Sequence, residues 1–335
     1  MDSSSIKFAD CHNDLLLGVL HQQERGIADP FGEFWLPQLK AGNVVTQILP
    51  VYTEEQYVGE AALRRTLLLF ETAWQIAASH KSEVSLCLTG NHVSKAHDEG
   101  KIALILAVEG AEPVGHSVEL FDTFYKLGVR ILSLTWNRRT MFADGVGEKD
   151  TQGRLTSLGI DAIREMERVG IVLDVSHISE NGFWHVSEVA TKPFIATHSS
   201  IYELKAHPRN LKEAQAKRII EGGGILCLNA FGGFLAENPT PESLIEHVKA
   251  AGDSIGYENV GFGFDFIRDL MGQIDPILGG TLVDISQFPF VPGLDRPADL
   301  ARFGQLLIDS LGTDIANQVA WQNLTGIMER LLPQI

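Results

Sequence analysis

Short apolar runs alternate with longer amphipathic segments along the whole chain, and this alternation constrains the fold more than any other feature. Apolar runs separated by helical segments are typical of a parallel sheet that is buried on both faces. Several helical segments end at a glycine directly before the next run, as at Gly128 and Gly170, where the missing Cβ allows the helix to stop. The predicted strands are Ile6–Asp10, Val44–Val51, Ile102–Val108, Val129–Thr135, Ile171–Ser176, Pro193–Thr197, Gly224–Asn229 and Val260–Phe264.

Eight such strands in 335 residues favour an α/β fold with a closed (β/α)8 barrel, the TIM barrel. An open, doubly wound sheet is the alternative, because periodicity does not show closure, but no GxGxxG follows any predicted strand. The predicted helices include Glu60–Ser79, Ser157–Val169 with Ser157 as its N-cap, Lys212–Glu221 and Pro241–Ala250.

The end of the chain, residues 297–332, is predicted to form two additional C-terminal helices that pack on the barrel. Length alone does not decide between one domain and two, since barrels of this size occur as single domains. Because no Pro/Ser-rich linker, charge block or internal repeat divides the chain, we expect residues 1–335 to form one domain.

The composition excludes several classes of partner. A net charge of −16 argues against binding to nucleic acid or to an anionic membrane surface. The apolar runs are much shorter than the roughly 20 residues that span a bilayer, and the first residues lack a secretory signal pattern, so we expect a cytoplasmic protein. The three cysteines are too few and too scattered for a disulfide framework or a thiolate zinc site, which leaves imidazole and carboxylate as metal ligands.

Side chains that can bind metals follow five of the predicted strands, where the catalytic groups of such barrels lie. They are His12, Asp14, Glu109, His177, His198 and Asp265. Imidazole with carboxylate suits Zn²⁺, Mn²⁺ or Fe²⁺, and six such groups exceed what one tetrahedral zinc needs. A two-metal site with one bridging carboxylate is therefore predicted. Four other histidines, His80, His92, His97 and His247, are interpreted as solvated.

These residues lie in motifs that resemble the renal (membrane) dipeptidases, zinc metallopeptidases of the amidohydrolase superfamily. The resemblance covers nearly the whole chain and rests on DCHNDLL, AVEGAEP, LGVRILSLTWN with a later ADG, GIVLDVSHIS, PFIATHSS, HPRNL, GGGILCLN, NVGFGFDF and VDISQFP. It implies a (β/α)8 barrel, hydrolysis of the peptide bond of a dipeptide, and a homodimer.

The resemblance also implies a binuclear site with two divalent ions, expected to be Zn²⁺. His12 and Asp14 would bind one ion, His177 and His198 the other, and Glu109 both.

Two further residues take roles from the resemblance. Asp265 would be the catalytic acid and base beside a hydroxide held by the metals, and Arg209 would help to hold the substrate.

The chain departs from the family pattern at three places near the predicted site. Trp136 stands where the family has a histidine that contacts the substrate, Ile267 replaces the second aspartate of DFDG, and Phe231 stands where an aromatic, often tyrosine, is expected. Arg138 or Arg139 is a candidate to replace the missing histidine. Trp136 and Phe231, together with Arg209, are predicted to contact the substrate.

Three functions are compatible with these residues. The first is a metal-dependent dipeptidase. The second, suggested by Trp136, is a hydrolase of the same scaffold that acts on another amide, such as an N-acyl amino acid or a modified-peptide intermediate. The third is a binding protein that retains metals without catalysis, which the presence of Asp265 disfavours.

Overall fold

The computed structural model describes residues 6–282 and 290–334, so the motif VDISQFP at 283–289 lies outside the described residues. Within those ranges all the strands pair in parallel. The strands are β1 (Phe8–Asp10), β2 (Val44–Tyr52), β3 (Val84–Leu86), β4 (Ile102–Glu109), β5 (Val129–Ser133), β6 (Val172–Asp174), β7 (Phe194–Ile195), β8 (Leu226–Leu228) and β9 (Val260–Phe262).

The helices lie between these strands and after the last one. They are α1 (Leu15–Glu24), α2 (Leu36–Ala41), α3 (Glu60–Ser79), α4 (Gly90–Asp98), α5 (Leu120–Lys126), α6 (Ser157–Val169), α7 (Glu180–Val189), α8 (Glu213–Glu221), α9 (Gly232–Leu235), α10 (Pro241–Ile255), α11 (Ile267–Gln273), α12 (Pro276–Leu282), α13 (Leu300–Leu311), α14 (Thr313–Asn317) and α15 (Asn323–Leu331). Among the described residues, no helix combines the length and the apolar character needed to cross a membrane.

The sheet runs in the order β7-β6-β5-β4-β2-β1-β9-β8, and its two edges meet. A parallel bridge between Ala196 and Leu226 joins them, with the amide of Ala196 donating to the carbonyl of Ile225 at 3.1 Å. The amide of Cys227 donates back to the carbonyl of Ala196 at 2.9 Å. The predicted (β/α)8 barrel is therefore confirmed. The short strand β3, which pairs with the first half of β4, was not predicted.

The strands bury both faces, as their continuous apolar sequences require. In β4, Ala103, Ile105 and Ala107 pack inside the barrel against Ile48 and Ile131 of the neighbouring strands. The alternate residues of β4 pack outward in the layer shared with the surrounding helices.

The two predicted C-terminal helices are confirmed: α13 is the first, and α14 and α15, which are joined by a π-helical segment at Gln318–Gln322, form the second. They cover two different parts of the barrel. Phe303 of α13 packs on the outside, with its ring centroid 5.7 Å from that of Phe262 in β9. Helix α15 lies at the amino-terminal ends of the strands, where Asn323 donates to the carbonyl of Val260 at 2.8 Å. This arrangement leaves the opposite, carboxyl-terminal end of the barrel for the side chains described below.

The ends of α6 show one correction and one confirmed prediction. The N-cap is Thr156 rather than Ser157, because the Thr156 hydroxyl accepts from the amide of Gly159 at 3.0 Å. Ser157 is the first residue of the helix instead. Gly170 ends α6 with φ 97°, the left-handed conformation predicted from its position before a strand.

Candidate active site

All six predicted metal-competent side chains lie at the carboxyl-terminal end of the barrel. Glu109 is the last residue of β4, and His12 lies two residues after β1. His177, His198 and Asp265 each lie three residues after the end of a strand, namely β6, β7 and β9. Parallel strands have their carboxyl ends at one edge, so residues at these positions converge.

Glu109 is the centre of the cluster. Its Oε1 atom lies 2.8 Å from His177 Nε2, 3.3 Å from His198 Nε2 and 3.6 Å from His12 Nε2. Asp14 Oδ2 lies 3.4 Å from His12 Nε2. One oxygen of Glu109 therefore lies close to His12, which follows β1, and to His177 and His198, which follow β6 and β7.

The cluster forms the floor of a cavity of about 420 Å³. Arg209, Trp136 and Phe231, the predicted substrate contacts, all line it. Of the predicted site residues only His198, which is 1% exposed, lies beneath the cavity rather than in its lining. The structure therefore brings all nine predicted residues to one place.

Hydrogen bonds from neighbouring residues orient the two paired histidines. His177 Nδ1 lies 2.8 Å from Asn137 Oδ1, an atom that only accepts, so Nδ1 carries the proton. Its Nε2 lone pair then faces Glu109. His198 Nδ1 lies 2.7 Å from Thr197 Oγ1 and its Nε2 also faces Glu109. Partners of this kind on the far ring nitrogen fix the orientation of histidine ligands.

Asp174, the last residue of β6, ties two ligand-bearing strand ends together. Its carboxylate accepts from the amide and hydroxyl of Ser176 at 3.0 and 2.6 Å, and from the amide and hydroxyl of Thr197 at 3.0 and 2.6 Å. Ser176 and Thr197 directly precede His177 and His198 in the chain.

Asp10, the last residue of β1, makes the equivalent connection on the other side. It accepts from the amides of His12 at 3.1 Å and Phe264 at 2.9 Å, and from the side chain of Gln47 at 3.0 Å. We call Asp10 and Asp174 the strand-end carboxylates. Neither was predicted from the sequence, although each stands two or three residues before a predicted histidine ligand.

Burial is the largest single influence on the pKa values of the clustered side chains. It lowers the pKa of His177 and of His198 well below the ordinary histidine value, and it raises the pKa of Glu109 well above that of glutamate. Burial alone would also lower the pKa of His12, but the Glu109 and Asp14 carboxylates outweigh it and raise the value to about 10. Because their pKa values are lowered, His177 and His198 are neutral near pH 7. Neutral imidazole is the form that binds metals.

The residues fit a divalent cation. Asp14 Oδ1 is buried without a hydrogen-bond partner in the described part of the chain. His177 Nε2 and His198 Nε2 lie only 2.8 Å apart and face the same carboxylate oxygen. His12 with Glu109 and His198 forms one group of ligand atoms within 4.8 Å of one another, and His12 with Asp14 and Asp265 forms a second. Such oxygen and imidazole donor sets suit Zn²⁺ and similar ions.

Asp265 has φ 58°, a left-handed conformation that aspartate tolerates better than most residues. Asn229, just after β8, donates to Asp265 Oδ2 at 3.1 Å and so orients the carboxylate. Burial raises the pKa of Asp265, although the charge of His12 opposes this.

Three arginines near the site, Arg209, Arg138 and Arg139, make different contacts. Arg209 is buried, and its Nη2 donates to His177 Nε2 at 3.1 Å and to the carbonyl of His198 at 3.2 Å. Burial lowers the pKa of Arg209 to about 10. Of the two candidates to replace the family histidine, Arg138 lines the cavity, whereas Arg139 forms an ion pair with Asp144.

The interpretation of His247 as solvated is wrong. Its side chain is buried, Nδ1 accepts from the amide of Ile201 at 3.0 Å, and Nε2 lies 3.1 Å from the carbonyl of Leu235. This histidine holds a loop to the end of α9. The three cysteines are buried and form no disulfide, in agreement with the prediction that they make no disulfide framework.

Comparison with known proteins places the chain in a family. A sequence model of the membrane dipeptidases, Peptidase family M19, matches residues 3–289. The chain belongs to this family. The resemblance seen in its motifs is therefore confirmed, and membership assigns the chain to the metal-dependent hydrolases.

Curated relatives from fungi carry dipeptidase names. Dipeptidase verJ of Clonostachys rogersoniana is 30% identical over 236 residues, which cover 69% of this chain and 58% of that protein. An uncharacterized dipeptidase of Schizosaccharomyces pombe is 32% identical over 311 residues, 84% of this chain and 73% of the relative. The match thus extends over 58% of the length of the first relative and 73% of the second.

Solved structures share the fold over nearly the full chain. Dipeptidase AC, a family M19 metallopeptidase, superposes with a TM-score of 0.86 at 24% identity, covering 98% of this chain and 99% of its own. A metallopeptidase from Rhodobacter sphaeroides, solved with a phosphinate mimic of the dipeptide L-Ala-D-Ala, gives 0.84 at 24% identity, covering 98% and 100%. These likenesses confirm the barrel.

Proposed function

We propose that this protein is a metal-dependent dipeptidase with a binuclear site, and that Zn²⁺ is its metal. The observation that carries the proposal is the position of Glu109, one of whose oxygens lies within 3.6 Å of three histidine nitrogens in a cavity of a dipeptidase-family barrel. In this proposal the Glu109 carboxylate would contribute to the binding of two ions. His12 and Asp14 would hold the first ion, and His177 and His198 would hold the second.

When bound, the ions supply Lewis acidity, which polarises the scissile carbonyl and lowers the pKa of a water molecule toward about 7. Asp265, oriented by Asn229, receives the proton of the attacking water on its carboxylate and donates it to the departing amine. Arg209 supplies a fixed positive charge for a carboxylate or developing negative charge on the substrate. Proton transfer of this kind contributes about 10²–10⁴-fold to a rate.

The test is an assay of purified, zinc-loaded protein against L-Xaa-L-Xaa and L-Xaa-D-Xaa dipeptides. We expect turnover of several dipeptides and a loss of at least about 10²-fold in kcat for Asp265→Asn. Asp309→Asn, which changes an exposed carboxylate on α13, is the matched control and should retain activity. Fewer than one equivalent of metal after reconstitution would contradict the ligand assignment.

A second candidate is a hydrolase of the same scaffold that acts on an N-acyl amino acid or a modified-peptide amide. The observation that favours it is Trp136, which lines the cavity with its ring centroid 6.1 Å from that of His177. Two bound metals with turnover of N-acyl amino acids but not of dipeptides would support this candidate. If Trp136→His gained dipeptidase activity, Trp136 would be the residue responsible for the different substrate. Metal binding without turnover of either substrate class would support the third function, a binding protein that retains metals without catalysis.

A further inference from the structure

The cavity has two chemically different sides. One side carries the candidate metal ligands, Arg209 and Asp265. The rest of the lining includes eight apolar or aromatic side chains. Leu17 and Leu270 are two of them, and we call the other six the apolar wall: Tyr52, Trp136, Phe231, Phe234, Ile267 and Met271. They come from four separate parts of the chain, namely the end of β2, the loop after β5, the segment from the end of β8 into α9, and α11.

The apolar wall is packed and therefore presents a defined surface. The rings of Phe231 and Phe234 stack with centroids 4.4 Å apart at 24°, and Ile267 and Met271 pack against this pair. The rings of Tyr52 and Trp136 lie 5.0 Å apart at 60°. Aromatic pairs with such geometry hold each other in place by contacts beyond simple burial.

The wall begins directly beside the candidate ligands. The Trp136 indole lies 6.1 Å from the His177 ring at an interplanar angle of 35°. A substrate whose scissile bond is held above Glu109 therefore has a neighbouring side chain within reach of the indole. Apolar surface next to the reacting bond favours apolar side chains, because each buried group gains transfer free energy.

Three charged side chains outside the candidate site also line the cavity, namely Glu55, Arg138 and Glu148. Arg138 and Glu55 line the same cavity and form an ion pair with Nε and Oε1 3.0 Å apart. These two charges offset each other. Glu148 accepts from the backbone amide of Arg139 at 3.2 Å and adds one negative charge to the lining.

Three residues of the wall, Trp136, Phe231 and Ile267, occupy the positions where the chain departs from its family pattern. Trp136 and Ile267 stand where the resemblance implies a polar residue, and Phe231 stands where it implies an aromatic one. The structure places all three in the same cavity. We infer that this enzyme selects dipeptides with a large apolar or aromatic side chain next to the scissile bond. The inference rests on the proposed dipeptidase function and names its substrate class.

The experiment measures kcat/KM of the zinc-loaded protein for Ala-Ala and for peptides in which one alanine is replaced in turn by Phe, Leu, Asp or Lys. We expect Phe or Leu at one of the two positions to raise kcat/KM at least 10-fold over Ala-Ala, and Asp or Lys to lower it. Trp136→Ala and Ile267→Asp should each reduce the ratio between the best apolar peptide and Ala-Ala at least 10-fold. Ile267 is the first residue of α11, where aspartate is compatible with a helix, so this variant is expected to fold.

Trp74→Ala is the matched control, because Trp74 is 40% exposed on α3 and lies outside the cavity. It should leave the peptide ratio unchanged. Equal kcat/KM for Ala-Ala and the apolar peptides would overturn this inference while leaving the dipeptidase function intact. No turnover of any peptide by the metal-loaded protein would overturn the proposed function, and the inference with it.

Discussion

Glu54 is a fully buried carboxylate just after β2, and two basic side chains surround it. Arg65, which is 3% exposed, donates to it from Nε at 3.0 Å and from Nη2 at 2.7 Å, and His21 Nε2 lies 3.1 Å away. Burial alone would raise the pKa of Glu54, but the bonds with His21 and Arg65 outweigh it and hold the value below 4.5.

Glu54→Gln should destabilise the protein by about 3 kcal/mol at pH 7, because it leaves the buried Arg65 charge without its main partner. The folded-state pKa of Glu54 is lowered, so this stabilisation is complete above pH 4.5 and is lost as the pH falls through the folded-state value. Urea titrations of both proteins should thus show a free-energy difference that shrinks below pH 4.5.

The control is Glu24→Gln, because Glu24 also contacts Arg65 but is 48% exposed. We expect a loss of no more than about 1 kcal/mol for this variant. A difference between wild type and Glu54→Gln that stays constant from pH 7 to pH 3 would contradict the account of this ion pair.

At the scale of elements, the predicted strands β1, β2 and β4–β9 are confirmed because continuous apolar runs that end at a turn are a local property of the chain. The strand β3 was missed because the polar Ser85 interrupts its short apolar run, whereas each predicted strand lies in a longer apolar run. The roles of the strand-end carboxylates were missed for a different reason. Asp174 acts through Thr197, which lies on another strand, and no local pattern connects them.

Asp174→Ala should lower the affinity for divalent metal about 10–100-fold, since the strand ends that carry His177 and His198 lose their shared acceptor. The measurement is metal binding by equilibrium dialysis with atomic absorption. Asp309→Ala on α13 serves as the exposed-aspartate control. Unchanged metal affinity in Asp174→Ala, in a protein with a native melting curve, would show that Asp174 is not a positioning residue.

At the scale of the molecule, the candidate ligands link strands that lie far apart in sequence. His12 and Glu109 follow β1 and β4, while His177 and His198 follow β6 and β7. A ligand that binds only the folded state stabilises it by about 4.1 kcal/mol at 1,000 times its Kd. For a chain of this length the corresponding rise in Tm is about 6 °C.

We therefore expect Zn²⁺ at such an excess to raise Tm by about 6 °C in a calorimetric scan, and a chelator to reverse the rise. Glu109→Gln removes the charge of the proposed bridging ligand, so we expect Zn²⁺ to raise the Tm of this variant much less. Equal melting temperatures with and without metal would argue against a site shared by several strands.

The sequence by itself determined the alternation of strands and helices and the position of each candidate ligand just after a strand. Both follow from local rules, namely the burial of apolar runs and the chemistry of residues that follow them. Only the tertiary structure decided that Ala196 and Leu226 close the barrel, that Asp10 and Asp174 tie strand ends together, and that Trp136 faces the cavity. These features depend on contacts between residues far apart in the chain, where the periodicity of a single sequence carries no information.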